Sequence, residues 1–131
     1  ETDIEEREAF TVSFATADQM AACDYVGMVS GNDTSDKLAK TGWHVTKSSK
    51  VDAPLFDELP LTLECRYLKH NEDGNIIGEI VNVTTDESIL DADGKPDAAK
   101  LRPISFDPVA NTYRVLGENV GQAFHDGAKL K

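Results

Sequence analysis

Apolar and polar residues alternate along two stretches of the chain. Residues 10–14 read Phe-Thr-Val-Ser-Phe, and residues 61–67 read Leu-Thr-Leu-Glu-Cys-Arg-Tyr. This period of two is typical of strands with one buried face. A third apolar stretch, 76–83, follows a turn at 70–75 that contains glycine, so an antiparallel hairpin is predicted there. The return strand is apolar on both faces around 76–81, which predicts a central position in its sheet.

Helical patterns fill the intervals between these strands. Thr16 and Gln19 have the spacing of a capping box ahead of an amphipathic run, and Gly31 is placed to end that helix. A second short helix is predicted near residues 35–40. A further helical turn is expected after Pro96, within a polar segment.

Two shorter extended stretches, 104–106 and 112–116, complete the pattern. The prediction is therefore a mainly β protein with short helices, of the α+β class. At 131 residues the chain is large enough for one domain with a core and too small for two ordinary ones, so residues 1–131 are assigned to a single domain.

The charge balance restricts the possible partners. The net charge is -11, and the few lysines and arginines are scattered, which argues against nucleic acid and against an anionic membrane surface. No apolar run reaches the roughly 18 residues that span a bilayer, and the first residues lack a signal-like segment. We therefore expect a cytoplasmic protein. The first methionine is Met20, so we also expect that the chain is cleaved or is part of a longer one.

One segment has the composition of a phosphate cradle. Residues 25–31 read Tyr-Val-Gly-Met-Val-Ser-Gly, and Lys37 follows in the first turn of the second predicted helix. Free backbone N–H groups and a nearby ammonium both favour a bound dianion. Such residues more often form a plain turn followed by a capped helix, and the pattern alone leaves that alternative open.

No other group of residues has the spacing that a metal site or a catalytic nucleophile requires. The segment that begins at Asp91 resembles a calcium loop, but Lys95, Pro96 and Arg102 stand where such a loop needs a ligand, a glycine and an acid. The three histidines lie far apart, so no metal site is expected. No nucleophile elbow is present.

The two cysteines, Cys23 and Cys65, lack redox or zinc spacing and are expected to be buried free thiols. No acid, base or nucleophile set emerges from the sequence, and the catalytic residues stay unknown. A phosphate cradle without a side-chain catalyst fits a bound nucleotide cofactor that carries the chemistry.

The order of many modest motifs resembles the flavin reductase-like proteins, in particular the flavoredoxin-like members of the FMN-binding split-barrel family. The resemblance extends from Ile4 almost to the C-terminus. Its segments are residues 10–14, 24–31, 36–37, 40–42, 51–54, 63–65, 77–80, 93–97, 113, 116–117 and 121–124.

This resemblance implies a split β-barrel, a homodimer and a tightly but noncovalently bound FMN. It implies NAD(P)H as reductant and either a second flavin or an electron-acceptor protein as partner. Lys37 matches the family's Asp-Lys motif and would contact the FMN phosphate, with Ser30 and Gly31 close by. Tyr113 matches the aromatic residue that lies near the flavin.

Two departures from the family pattern matter. The hairpin turn at 71–75 lacks the Gly-Asp-His motif of many members, so no role is carried over to a histidine there. The chain also begins where the family has completed several strands, so we expect an N-terminally truncated barrel. The alternative function is a non-catalytic FMN-binding or structural domain.

Overall fold

A computed structural model describes residues 2–28 and 37–131. It is mainly β with a few short helices, as the hydrophobic pattern predicts. The described helices are α1 (Thr2–Arg7), α2 (Met20–Met28), α3 (Lys37–Thr41) and α4 (Ala98–Leu101). The described strands are β1 (Ala9–Ser13), β2 (Val45–Lys47), β3 (Pro54–Phe56), β4 (Leu61–His70), β5 (Ile76–Thr85), β6 (Ile104–Asp107) and β7 (Thr112–Val115).

Three of these strands form the main antiparallel sheet, in the order β1-β4-β5. The hairpin of β4 and β5 confirms the sequence prediction, but the predicted central position of β5 is wrong. Within the described residues, β4 is central and β5 is an edge strand. Ile80 of β5 is 56% exposed. An apolar run on both faces of a strand indicates contact on both faces, and it does not specify which strands lie alongside.

The two faces of this sheet differ in chemistry. Thr11, Glu64 and Asn82 are paired across the three strands, so their side chains share one face. That face is polar, and it is partly covered by the β2–β3 hairpin, since the Thr11 hydroxyl donates to the Pro54 carbonyl at 2.7 Å. The opposite face carries Val12 and Val83, which are 44% and 47% exposed. The flanking strands therefore leave apolar side chains open on this face, whereas Leu61 and Cys65 of the central strand are buried on it.

Glu64 is the most deeply buried large side chain among the described residues, at 1% exposure. Its Oε1 accepts from the Ser48 hydroxyl at 2.6 Å, and its Oε2 accepts from the Thr84 hydroxyl at 2.8 Å and from the Asn82 amide. Burial by itself raises the pKa of this carboxyl. The bonds from Ser48, Thr84 and Asn82, with the charge of Lys50, outweigh that effect and hold its pKa below the ordinary value.

Ser48 links Glu64 to the loop that joins β2 to β3. Its hydroxyl oxygen also accepts from the backbone N–H groups of Lys50 and Val51, at 3.0 and 3.2 Å. The turn is therefore fixed to the central strand through one hydroxyl group.

The start of α2 differs in detail from the predicted capping box. Thr16 precedes a short 3-10 turn, Ala17–Gln19, but its side chain makes no capping hydrogen bond. The Gln19 side chain instead accepts from the Trp43 indole N–H at 2.8 Å. A long-range partner thus replaces the local bond that the spacing favours. The predicted helix end at Gly31 lies outside the described residues.

The remaining elements follow the predicted order. The second helix is described over Lys37–Thr41, and residues 35–36 of its predicted range lie outside the described part. The helical turn after Pro96 is α4, whose Asp97 accepts from the Ala99 N–H at 2.9 Å. Leu61, Ile89 and Leu101 form a small buried cluster between β4 and this segment. The hairpin of β6 and β7 confirms the two short strands. In the described ranges, no helix combines the length and apolar character needed to cross a membrane.

Gly78 marks a close approach between β5 and the side chain of Phe10. A Cβ at this position would lie 2.5 Å from Cζ of Phe10 and 3.1 Å from the carbonyl oxygen of Arg66. The aromatic ring therefore packs directly on the glycine backbone, and any larger residue must displace it.

Gly78→Ala is expected to lower the free energy of unfolding by about 1–3 kcal/mol because of this overpacking. Adding Phe10→Leu should recover part of that loss, which a double-mutant cycle in urea would measure. Gly27→Ala is the matched control, since a Cβ there meets nothing within 4 Å. Equal effects of the alanine at both glycines would contradict the packing argument.

The lowered pKa of Glu64 predicts a pH-dependent contribution to stability. A carboxyl whose folded pKa lies below its unfolded pKa stabilises the fold above the unfolded value, and this contribution is lost as the pH falls through the folded value. Glu64→Gln should cost roughly 2 kcal/mol at neutral pH through lost charge-assisted bonds. The difference in free energy of unfolding between the parent and Glu64→Gln should become smaller as the pH falls. Chemical denaturation at several pH values tests this, with the exposed Glu72→Gln as control. A gap that stays constant with pH would refute the assignment.

Candidate functional site

A cavity of about 550 Å³ lies between the polar face of β1, the helices α2 and α3, and the β2–β3 hairpin. This volume is within the range of pockets that hold small cofactors, roughly 300–1,000 Å³. Its lining comprises Thr11, Ser13, Ala15, Cys23, Val26, Lys37, Leu38, Thr41, Trp43, Phe56 and Leu59.

One wall of this cavity is aromatic and rigid. The rings of Trp43 and Phe56 lie 5.4 Å apart between centroids, at an interplanar angle of 53°. Trp43 is buried, and its indole N–H is held by Gln19. A fixed aromatic surface of this kind suits the apolar face of a planar ligand.

The polar groups of the cavity come from β1 and from α3. Lys37 is the first residue of α3 and is half-buried at the cavity wall. The hydroxyl of Thr11 donates to the Pro54 carbonyl, and that of Thr41 donates to the Leu38 carbonyl at 2.6 Å. With its proton so used, the Thr11 hydroxyl offers the cavity its acceptor lone pairs. The Thr41 hydroxyl also accepts from the Trp43 backbone N–H at 3.2 Å and retains one lone pair. Lys37 offers donors and a positive charge.

The predicted site residues are only partly brought together. Lys37 lines the cavity, whereas Ser30 and Gly31 lie outside the described residues. Tyr113 does not line the cavity. It lies on β7, and its hydroxyl donates to Asp24 of α2 at 2.6 Å. That bond, followed by burial and by the charges of Asp24 and Cys23, raises the pKa of Tyr113. Tyr113 is thus linked to the helix that carries one cavity wall, through Asp24 next to Cys23.

Several lining residues were not identified from the sequence. Thr11 and Trp43 line the cavity. For Thr11, the sequence feature that could have indicated this is its polar position in an alternating strand. Cys65 is buried as predicted, but Cys23 is only partly buried because one side of it faces the cavity. Partial burial raises the pKa of the Cys23 thiol, which favours the neutral form.

The donor set fits an amphiphilic cofactor with an aromatic ring and an anionic end. FMN has a planar ring system, a hydroxylated chain and a phosphate. The cavity offers an aromatic wall, hydroxyl acceptors and the Lys37 ammonium, in a volume of about 550 Å³. The described lining includes no carboxylate that would repel a phosphate. The residues present are therefore compatible with FMN.

Comparison with solved structures places the fold among flavoredoxins. The flavoredoxin of Desulfovibrio vulgaris (Miyazaki F) is 38% identical, with a TM-score of 0.89 over 96% of this chain and 68% of that one. The flavoredoxin from Methanosarcina acetivorans is 30% identical, with a TM-score of 0.86 over 98% of this chain and 68% of that one. The fold class predicted from sequence is confirmed by these matches.

Sequence comparisons agree with the structural ones. An uncharacterized protein of Archaeoglobus fulgidus is 33% identical over 97 residues, which are 72% of this chain and 53% of the relative. The chain thus spans about half the length of the curated relative that it matches. The family model described as "Flavin reductase like domain" matches residues 2–100, a range that contains every residue lining the cavity. The chain therefore belongs to the flavin reductase-like family.

Proposed function

We propose that the chain binds FMN in the cavity between β1, α2, α3 and the β2–β3 hairpin, and that it acts as a flavin reductase or flavoredoxin-type oxidoreductase. The observation that carries this proposal is the convergence of Lys37 and the Trp43–Phe56 wall on one cavity, in a chain of the flavin reductase-like family. FMN, when bound, supplies the redox chemistry, taking a hydride from NAD(P)H and passing electrons to a second flavin or to an acceptor protein.

In this proposal the chain's own residues bind and orient the cofactor. Lys37 holds the phosphate with a charge-assisted hydrogen bond, and Ser30 and Gly31 supply further contacts nearby. Trp43 and Phe56 exclude water from one side of the ring system. Tyr113 bonds to Asp24 of α2, and in this proposal it acts on the cofactor site indirectly, by holding the helix that carries Cys23 and Val26.

We further propose that the protein forms a homodimer. The apolar face of the main sheet supports this, because Val12 on β1 and Val83 and Ile80 on β5 are 44%, 47% and 56% exposed on the two strands that flank β4. Exposed apolar patches of this kind commonly mark an interface. The edge position of β5 adds unpaired backbone groups to the same region.

The Lys37 assignment predicts a selective loss of affinity. Lys37→Ala should weaken FMN binding about tenfold to a hundredfold, since a charge-assisted hydrogen bond contributes roughly 1.5–3 kcal/mol. Riboflavin lacks the phosphate, so its affinity should hardly change. Quenching of flavin fluorescence measures both constants.

Lys40→Ala is the matched control for this test. Lys40 lies on the same short helix and is exposed, but it does not line the cavity. Equal losses for FMN and riboflavin in Lys37→Ala would mean that Lys37 supports the fold and does not bind the phosphate. Equal FMN losses in both lysine variants would indicate a general electrostatic effect.

Turnover is tested separately from binding. The FMN-loaded protein should lose its yellow absorbance when NADPH or NADH is added without oxygen and regain it when an acceptor flavin follows. Light scattering on the same sample should give twice the chain mass of 14.3 kDa. FMN that binds but is not bleached by either nucleotide would favour the non-catalytic FMN-binding domain. A monomeric mass would refute the homodimer.

A further inference from the structure

A second cavity, of about 530 Å³, lies next to the first. The two cavities share Thr11 and Phe56 as lining residues, so they are neighbours along β1. The second is enclosed by α1, β1 and the β2–β3 hairpin, and the proposed FMN site does not use it.

Two cations from different elements meet at this second cavity. Arg7, at the end of α1, places Nη1 3.5 Å from Oδ1 of Asp52. Lys47, on β2, places Nζ 3.2 Å from the same oxygen. Two positive charges thus converge on a single carboxylate oxygen, and the three side chains together carry one net positive charge.

The rest of the cavity lining is largely apolar and partly aromatic. Phe10 and Phe56 both line it, but the ring of Phe10 extends across the sheet to Gly78 of β5, so Phe56 supplies the aromatic surface of the cavity. Ile4, Val45 and Pro54 extend the apolar surface. The cavity therefore offers an apolar lining with the Phe56 ring beside a cationic rim, which matches a ligand with a flat apolar body and an anionic group at one end.

We propose that this second cavity is a binding site for an aromatic phosphate, with Arg7 and Lys47 as the ligands of the phosphate group. A guanidinium and an ammonium that converge on one point match the charge of a phosphate dianion better than they match the charge of a single carboxylate. The inference goes beyond the proposed FMN function and does not depend on it.

Asp52 is the internal competitor for this site. Its Oδ1 already lies where both cations converge, which is the position that a phosphate oxygen would take. The ion pairs are exposed, at 51% for Arg7, 73% for Lys47 and 47% for Asp52, so breaking them costs little. Asp52 follows the turn that Ser48 fixes to Glu64, so the carboxylate can rotate away while the backbone stays in place.

The test uses 1-naphthyl phosphate as probe and the neutral 1-naphthol as its matched control, by isothermal titration calorimetry. The parent protein should bind the phosphate more tightly than the naphthol. Lys47→Gln and Arg7→Gln should each weaken phosphate binding at least threefold. Asp52→Asn should tighten it at least threefold, because the competing charge is gone while the turn remains. Naphthol binding should be unchanged in all three variants.

Lys69→Gln is the control for net charge, since Lys69 is exposed on β4 and lines neither cavity. An Asp52→Asn variant that binds no more tightly than the parent would overturn the proposal, and so would an equal loss in Lys69→Gln. Loss of naphthyl phosphate binding in Lys37→Ala, or its displacement by FMN, would place the phosphate in the first cavity and also overturn it. Thermal unfolding of each variant shows that it is folded.

Discussion

The buried carboxylate of Glu64 is the constraint on which the arrangement of this fold depends. A charge at 1% exposure in the central strand is unfavourable unless every oxygen is matched by donors. Those donors come from Asn82 and Thr84 on β5 and from Ser48 in the β2–β3 loop. Satisfying one side chain therefore aligns the register of β4 with β5 and brings the loop onto the sheet. The β2–β3 hairpin, which forms a wall of both cavities, takes its position from this contact.

The sheet that results has an unusual distribution of polarity. Its polar face, with Thr11, Glu64 and Asn82 in one row, is the covered one, whereas Val12 and Val83 on the other face stay exposed. Burial of a polar face requires specific hydrogen bonds, and burial of an apolar face requires only contact. The covered face consequently has a defined geometry suited to binding. The open face has the properties of a surface that associates with other protein.

Local sequence patterns predicted the elements of this fold better than their assembly. The alternation at 61–67 and 76–83 and the glycine turn between them were sufficient for the β4–β5 hairpin, because register and turn chemistry are local properties. The position of β5 at an edge depends on which other strands pair with β4, and no local pattern encodes that. The capping box failed for a related reason, since the Gln19 amide bonds to Trp43, 24 positions away.

The candidate site was likewise predicted only where a local pattern indicates its chemistry. Lys37, which lines the first cavity, was predicted as a phosphate ligand because a lysine in the first turn of a short helix after a segment with small residues has a recognisable chemistry. Thr11, Trp43 and Phe56 come from three separate segments, and only the folded chain brings them to one cavity. The alternating pattern did not indicate that Glu64 is buried, because an isolated glutamate in such a strand has the pattern of a solvent-exposed residue.

The position of Trp43 gives the protein a built-in optical reporter. It is the only tryptophan in the chain, it is buried against Phe56, and its ring lines the first cavity. All indole emission therefore originates at the wall of one cavity, without background from a second site. Energy transfer from this indole to a flavin depends steeply on separation, so the native emission can serve as a ruler for the distance between cofactor and wall. The same indole reports loss of the Gln19 contact when α2 detaches from the hairpin, so one wavelength follows both ligand occupancy and local opening.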